Sequence, residues 1–325
     1  MIVDESYRGA DLIFLVGCPR SGTTWLQRLL ASHPRIRTGQ ESHLFDFYIG
    51  PQLHRWADAM AHAATGRGGV GIGCYLEEER FLAATRAYML QLLAPMREAL
   101  APGELFLEKS PAHALYLPEI RRLLPEARVI HLVRDARDVV ASLLAASRSW
   151  GAGWAPRTAG AAASLWIEHV QAARREASVF GPSRYLEVRY EELHAAPERT
   201  LERVGAFLGL AWPGDTLPRA IRQNQPGEAR ATGGTPLPIG GAFATARGVV
   251  QEPPGFVRRA RPGAWKEDLS WREQWTVWKM GRELMDELGY PWRSALFPVL
   301  TRLAGLRPRR ARRGLPPATP MTTGS

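Results

Sequence analysis

The segment DLIFLVGCPRSGTTWLQRLL, residues 11–30, restricts how this chain can fold more than any other. A short apolar run, a loop bracketed by Gly17 and Gly22, and apolar residues at helical spacing read as a strand, a tight turn and a helix. The same alternation recurs downstream. HPRIRTGQ holds a short second strand, 74–100 reads as one or two helices broken near Pro95, and ELFLE at 104–108 is a strand. HALYLPEIRRLLP carries a helix, ARVIHLV at 127–133 is a strand, and a helix begins near Asp135. Residues 164–180 are helical, RYLEVRY at 184–190 is a strand, and PERTLERVGAFLGL is a short helix. Strands alternating with helices over this length predict an α/β fold: a three-layer sandwich with a central, mostly parallel sheet flanked by helices.

The expected organisation is one domain over 1–290, interrupted by a long Pro/Gly-rich loop at 211–255, with helicity returning at 270–289. Residues 291–325 form a basic, largely irregular extension. That extension explains much of the charge. It holds seven of the arginines and no acid, so the formal +10 falls to +3 on the remainder. A basic nucleic-acid-binding module is therefore an alternative reading that rests on the tail alone, and nucleic acid is not the expected partner. No 18-residue apolar stretch occurs, DLIFLVG is too short for a signal segment, and Cys18 and Cys74 suggest neither a disulfide framework nor a zinc site. The expectation is a cytoplasmic protein without a membrane span or a metal.

The loop after the first strand has its two glycines five apart, as phosphate-binding loops do. A nucleotide triphosphatase continues with Lys and then Ser or Thr; here Thr23 and Thr24 follow Gly22. Backbone N–H groups at the helix start, the two threonine hydroxyls and the Arg20 fork suit an anion. The missing lysine argues against magnesium-assisted chemistry on β- and γ-phosphates, which weakens a small-molecule or nucleoside kinase reading. It leaves a 5′-phosphate open. In VIHLVRDARDVVASL, 129–143, Arg134 follows a strand and Ser142 lies two helical turns on, a second anion site. The competing reading pairs Arg134 with Asp135 or Asp138. Two separated anion sites suit a nucleotide with phosphate at both ends of its ribose.

Together these stretches resemble the PAPS-dependent sulfotransferases, whose donor is 3′-phosphoadenosine 5′-phosphosulfate (PAPS) and whose product is PAP. PRSGTTW resembles their 5′-phosphosulfate loop, VRDARDVVASL their 3′-phosphate motif, and YEELHAAPERTLERVGAFLGL the segment after the adenine-side strand. FVRRARPGAWKEDLS, 256–270, is similar to their late RKGxxGxWK loop, with Ala260 where the family has glycine. The resemblance implies that Arg20, Ser21, Gly22, Thr23 and Thr24 hold the 5′-phosphosulfate and that Trp25 and Tyr190 border adenine. It assigns the 3′-phosphate to Arg134, Ser142, Arg258 and Arg259.

Sulfuryl transfer needs a base for the acceptor proton and cations on the leaving side. The cytosolic members carry a histidine in K-T-H-x-P; EKSPAH at 108–113 matches the lysine as Lys109 but puts Pro111 where that histidine would be. ESHLFDF at 41–47 instead resembles the glutamate segment of heparan-sulfate-type enzymes, and with EKSP it is similar to tyrosylprotein sulfotransferases. Both comparisons select Glu41 as base, a role a carboxylate can fill if partial burial raises its pKa. Lys109 and Arg20 supply positive charge, with a salt bridge to Glu108 or Glu41 as the competing reading of Lys109 and an arginine pair as that of Glu41. His43 stays open between a supporting residue behind the base, an acceptor contact and a histidine packed among Phe45 and Phe47. The implied reaction is transfer to a hydroxyl or amine of a small-molecule, glycan-like or secondary-metabolite acceptor.

Overall fold

The computed structural model describes residues 7–64, 71–98, 100–225 and 255–290. Five strands, β1 (Leu12–Gly17), β2 (Ile36–Thr38), β3 (Leu105–Glu108), β4 (Arg128–Val133) and β5 (Tyr185–Arg189), form one sheet in the order β2-β3-β1-β4-β5. Every pairing is parallel. Strand β1 is buried along its whole length, as a central strand covered on both faces must be.

Alternate β1 side chains enter different cores. Leu12, Phe14 and Val16 pack with α3 (Glu78–Arg97), α4 (Leu117–Leu123) and part of α6 (Ala159–Phe180). Ile13 and Leu15 face α1 (Thr23–Ala31) and α8 (Pro197–Leu208). A third apolar cluster joins α5 (Ala136–Ser147) to α6 and to α11 (Trp271–Glu287). The helix–sheet–helix layering is the one expected. Helix α11 starts where its sequence says: Ser270 and Glu273 form a reciprocal capping box. The remaining helices are α2 (Gly50–Ala63), α7 (Tyr190–Ala195), α9 (Thr216–Gln223) and α10 (Trp265–Asp268). No described helix is long and apolar enough to cross a membrane.

Three local expectations change. Helix α3 runs through Pro95 unbroken and ends two residues later, at Arg97. Tyr190 opens α7 rather than closing β5. Part of the expected 211–255 loop is helix α9, whose Leu217 and Ala220 are buried; 226–254 and the extension from 291 lie outside the described residues.

Strand order brings the motifs together. The chain runs from β1 outward to β2 on one side and later to β4 on the other, and such a reversal opens a crevice beyond the strand ends. Gly17 pairs with Leu132, so the loop after β1 and Arg134 after β4 emerge side by side. Phe14 pairs with Glu108 and Thr38 with Leu107, which sets Lys109 and Glu41 next to the same loop.

Candidate active site

Gly22 caps α1 with φ 102°, and a Cβ there would lie 2.6 Å from Cδ2 of Tyr190. Both the left-handed backbone and the ring contact demand glycine. The first turn of α1 has no acid and Gly22 offers no side-chain cap, so the electropositive helix end stays unneutralised. Ser21 is buried, and its Oγ has no hydrogen-bond partner among the described residues. Thr23 and Thr24 line the cavity. The Trp25 indole donates to the Asn224 carbonyl at 2.8 Å and meets the Tyr190 ring edge-on with centroids 5.5 Å apart.

Arg20 turns toward the second anion site. Its Nε donates to Ser142 Oγ at 3.2 Å, a terminal nitrogen donates to the Phe256 carbonyl, and the guanidinium lies against Trp150 and Phe256. Arg134 is buried with its guanidinium 4.0 Å from the Tyr190 ring centre; Nη2 donates to the Arg261 carbonyl at 3.2 Å. Its Nε has no hydrogen-bond partner among the described residues. The competing sequence reading, an acidic partner on the following helix, is met as well: Nη2 stands 3.7 Å from Asp138 Oδ2.

Asp138, which the sequence offered only as an alternative partner for Arg134, has a second role. Fully buried on α5, it accepts the backbone N–H groups of Gly263 (2.8 Å) and Trp265 (2.9 Å), tying the 256–265 loop to the helix that carries Ser142. Burial pushes its carboxyl above the usual range, against the pull of Arg134. The signal was the second aspartate of RDARD. Arg258 and Arg259 line the cavity, yet both guanidinium groups pair with Asp268, Arg259 at 3.2 Å. Ala260 holds φ 52°, the conformation for which the family motif writes glycine.

On the other side of the loop, Lys109 Nζ donates to Glu41 Oε1. Lys109 is 4% exposed and the Glu41 side chain 35%. The expected upward shift of Glu41 is reversed. Burial pushes its carboxyl up, but the His43 hydrogen bond and the Lys109 charge outweigh it, so the group lies below the usual carboxylate range.

Behind Glu41 the charges alternate. His43 Nε2 is 3.4 Å from Glu41 Oε2, and its Nδ1 is 2.8 Å from Asp46 Oδ2. Asp46 Oδ1 is 3.3 Å from Nε2 of His113, whose Nδ1 is 2.9 Å from Glu108 Oε2. Glu108 also accepts the Ser42 and Ser110 hydroxyls at 2.7 and 2.6 Å. Burial would raise the Glu108 carboxyl, but the His113 charge and these donors hold it down at about 2. Burial would lower His113; Glu108 and Asp46 instead raise it to about 9. The His113 ring is 0% exposed, and this network binds it.

Arg20, Glu41, His43, Arg134 and Ser142 border a cavity of about 560 Å³, with Phe47, Trp150, Trp154 and Phe256 as its apolar wall. Arg20, His43 and Ala260, the three non-glycine residues with positive φ among the described residues, all line it. Strained backbone of this kind gathers where a site is held in place by its surroundings. Among the described residues no group of three His, Cys, Asp or Glu side chains is placed to hold a metal ion.

A glycine loop at the switch point, with a second cationic station one strand away on the same cavity, defines a P-loop-like α/β protein. The chain belongs to the sulfotransferase family, whose model matches residues 11–214. Protein-tyrosine sulfotransferase 2 of Gallus gallus is 27% identical over 217 residues, 66% of this chain and 56% of that protein. The chain spans between 39% and 66% of the length of the first curated relatives it matches. Two solved structures share the fold: mouse sulfotransferase SULT7A1 complexed with PAP (TM-score 0.55, 16% identity, 87% of each chain) and the sulfotransferase domain of the curacin biosynthetic pathway (TM-score 0.53, 21% identity, 86% of this chain and 98% of that one).

Proposed function

We propose that this protein transfers a sulfuryl group from PAPS to an acceptor hydroxyl, releasing PAP, with Glu41 taking the acceptor proton. The observation that carries this reading is the Lys109–Glu41 ion pair at adjacent strand ends beside the glycine loop. The residues present fit the donor. Ser21 Oγ and Arg134 Nε are buried without hydrogen-bond partners among the described residues, one in each anion station, and burying polar groups unpaired is costly unless a ligand completes them. Ser21, Thr23, Thr24 and the α1 amide end would hold the 5′ end, with Arg134, Ser142 and Arg20 at the 3′-phosphate. Arg258 and Arg259 join them only by leaving Asp268.

PAPS supplies the SO₃ group and a phosphate leaving oxygen on which charge develops. Lys109 is the buried cation placed to stabilise that charge. Each step it takes toward the leaving side removes a cation from Glu41, whose affinity for a proton then rises. The pair couples acid-side and base-side chemistry without a second titrating group. Glu41→Gln keeps size and hydrogen bonding but removes the basic carboxylate, and should cut turnover by roughly 10²–10⁴ while PAP affinity stays within a few-fold.

For the acceptor, we infer a phenolic hydroxyl. The names of the curated relatives favour a protein tyrosine over the small-molecule or glycan-like class expected from sequence, and the wall of Phe47, Trp150 and Trp154 offers flat rings a stacking surface. A free aromatic alcohol is the second reading, favoured by the apolar character of the same wall. Incubation with PAPS and either tyrosine-containing peptides or a metabolite extract, read by mass spectrometry for the added sulfuryl mass, separates the two. Failure of both pools to gain it, with PAP still bound, would overturn the acceptor class.

A further inference from the structure

We propose that His43 and Asp46 are positioning residues for Glu41, forming with His113 and Glu108 a five-membered alternating charge chain that keeps the base oriented and ionised when Lys109 turns to the leaving group. The inference rests on the reading of Glu41 as the base.

The geometry is continuous. From the cavity inward the contacts are Glu41–His43 at 3.4 Å, His43–Asp46 at 2.8 Å, Asp46–His113 at 3.3 Å and His113–Glu108 at 2.9 Å. Each imidazole stands between two carboxylates, the arrangement that lets charge persist in a poorly solvated interior, and the Phe45 N–H is directed at the same His113 Nε2 at 3.1 Å. The chain closes on itself through the backbone. Glu108 directly precedes Lys109, Ser42 directly follows Glu41, and the Ser42 hydroxyl donates to Glu108 at 2.7 Å. The network therefore fixes both strand ends from which the base and the lysine emerge.

His43 sits at the joint. Its φ is 49°, its N–H donates to Ser110 Oγ at 3.1 Å, and its ring stacks on Phe47 at 4.4 Å and 11°. A histidine forced into the left-handed region and gripped on three sides is held for a purpose that packing alone does not require. The groups facing it are Glu41 and Asp46; Lys109 faces Glu41, and His113, Tyr116 and His169 are the further titratable groups that act on Asp46. The Asp46 hydrogen bond, and then that of Glu41, raise the His43 ring to about 10. A ring charged through neutrality cannot take the acceptor proton. It can keep a carboxylate anionic after the lysine has gone.

The test uses the full chain. Turnover against pH is measured with PAPS and a competent acceptor for wild type, Glu41→Gln, His43→Gln and Asp46→Asn, with PAP affinity by calorimetry. The imidazole signals of the unliganded protein are titrated by NMR. His43→Gln should lower turnover about 10-fold on the acid side and leave the high-pH plateau within about twofold, because Glu41 there ionises unaided. The wild-type His43 signal should stay protonated through neutral pH and titrate lower in Asp46→Asn. That readout needs neither substrate nor activity. An inactive Glu41→Gln beside a His43→Gln profile that superimposes on wild type overturns this inference and leaves the base assignment standing. A fully active Glu41→Gln overturns the base assignment itself. A His43 signal that titrates near 6.5 in wild type overturns the charge chain whatever the kinetics show.

Discussion

Gly22 and Tyr190 touch so closely that the glycine has no room for a methyl group: the built Cβ would stand 2.6 Å from one ring carbon and 2.7 Å from the next. The phosphate loop thus rests directly on the aromatic wall expected to border the base of the nucleotide.

Gly22→Ala should be among the most damaging single-methyl changes in the protein. The left-handed backbone alone costs an L-residue about 1–2 kcal/mol, and the ring contact adds to it. Urea unfolding should show a lowered midpoint at unchanged slope, and PAP binding should fall. Replacing Tyr190 by Leu in the same chain should recover part of the stability, since it removes the clash but not the backbone strain. No recovery would mean that the backbone term dominates.

Arg134→Ala should erase discrimination between PAP and AMP. A 3′-phosphate held by Arg134 and Ser142 gains charge-assisted hydrogen bonds worth about 1.5–3 kcal/mol each, so wild type should prefer PAP by roughly 10- to 100-fold per bond. Calorimetry with both nucleotides decides it. Equal wild-type affinities would remove the second station from the argument.

Asp138→Asn retains shape but leaves one of the two loop N–H groups without a carboxylate oxygen. An unsatisfied buried donor costs about 1–3 kcal/mol. Thermal stability should drop, and nucleotide affinity should drop with it, because Gly263 and Trp265 anchor the loop that carries Arg258 and Arg259. A loss of stability with unaltered PAP affinity would show that the loop contributes nothing to the nucleotide.

Stability should be greatest in mildly acidic solution as far as the buried charge chain is concerned. Glu108 is depressed from 4.5 to about 2, so its contribution is complete above 4.5 and is lost as pH falls toward 2. His113 is raised from 6.5 to about 9, so its contribution is complete below 6.5 and is lost as pH rises through 9. Both contributions are whole only between those ordinary values. Unfolding free energies from pH 3 to about 10 for wild type and His113→Gln should differ most in that window and converge toward both extremes. Parallel curves would contradict the coupling.

The sheet, the glycine loop and the VRD segment could be read from sequence because each is written in consecutive residues. IFLV and ARVIHLV are short apolar runs, and the turn after each carries its own glycine or arginine. The charge chain could not be read that way. Its members come from ESHLFD and EKSPAH, separated by sixty-odd residues and joined only because β2 pairs with β3. The acid–base alternation inside both fragments was the available signal. The direction of the Glu41 shift failed for the same reason: burial and a Lys109 salt bridge were both legible as readings, but the His43 hydrogen bond that adds to the lysine was not. Helix α9 was hidden by its Pro/Gly-rich surroundings, where Leu217, Ala220 and Ile221 span too little chain to set a period.

Tyr190 meets the loop at Gly22 on one side and carries the Arg134 guanidinium over its face at 4.0 Å on the other. One ring therefore works as a gauge block between the two anion stations. Their separation is a dimension of the resting protein, fixed by a rigid aromatic body rather than drawn in by whatever binds. With the two phosphates held as proposed, such a site would measure its ligand: a phosphate-bearing molecule of the wrong span would satisfy one station or the other, not both.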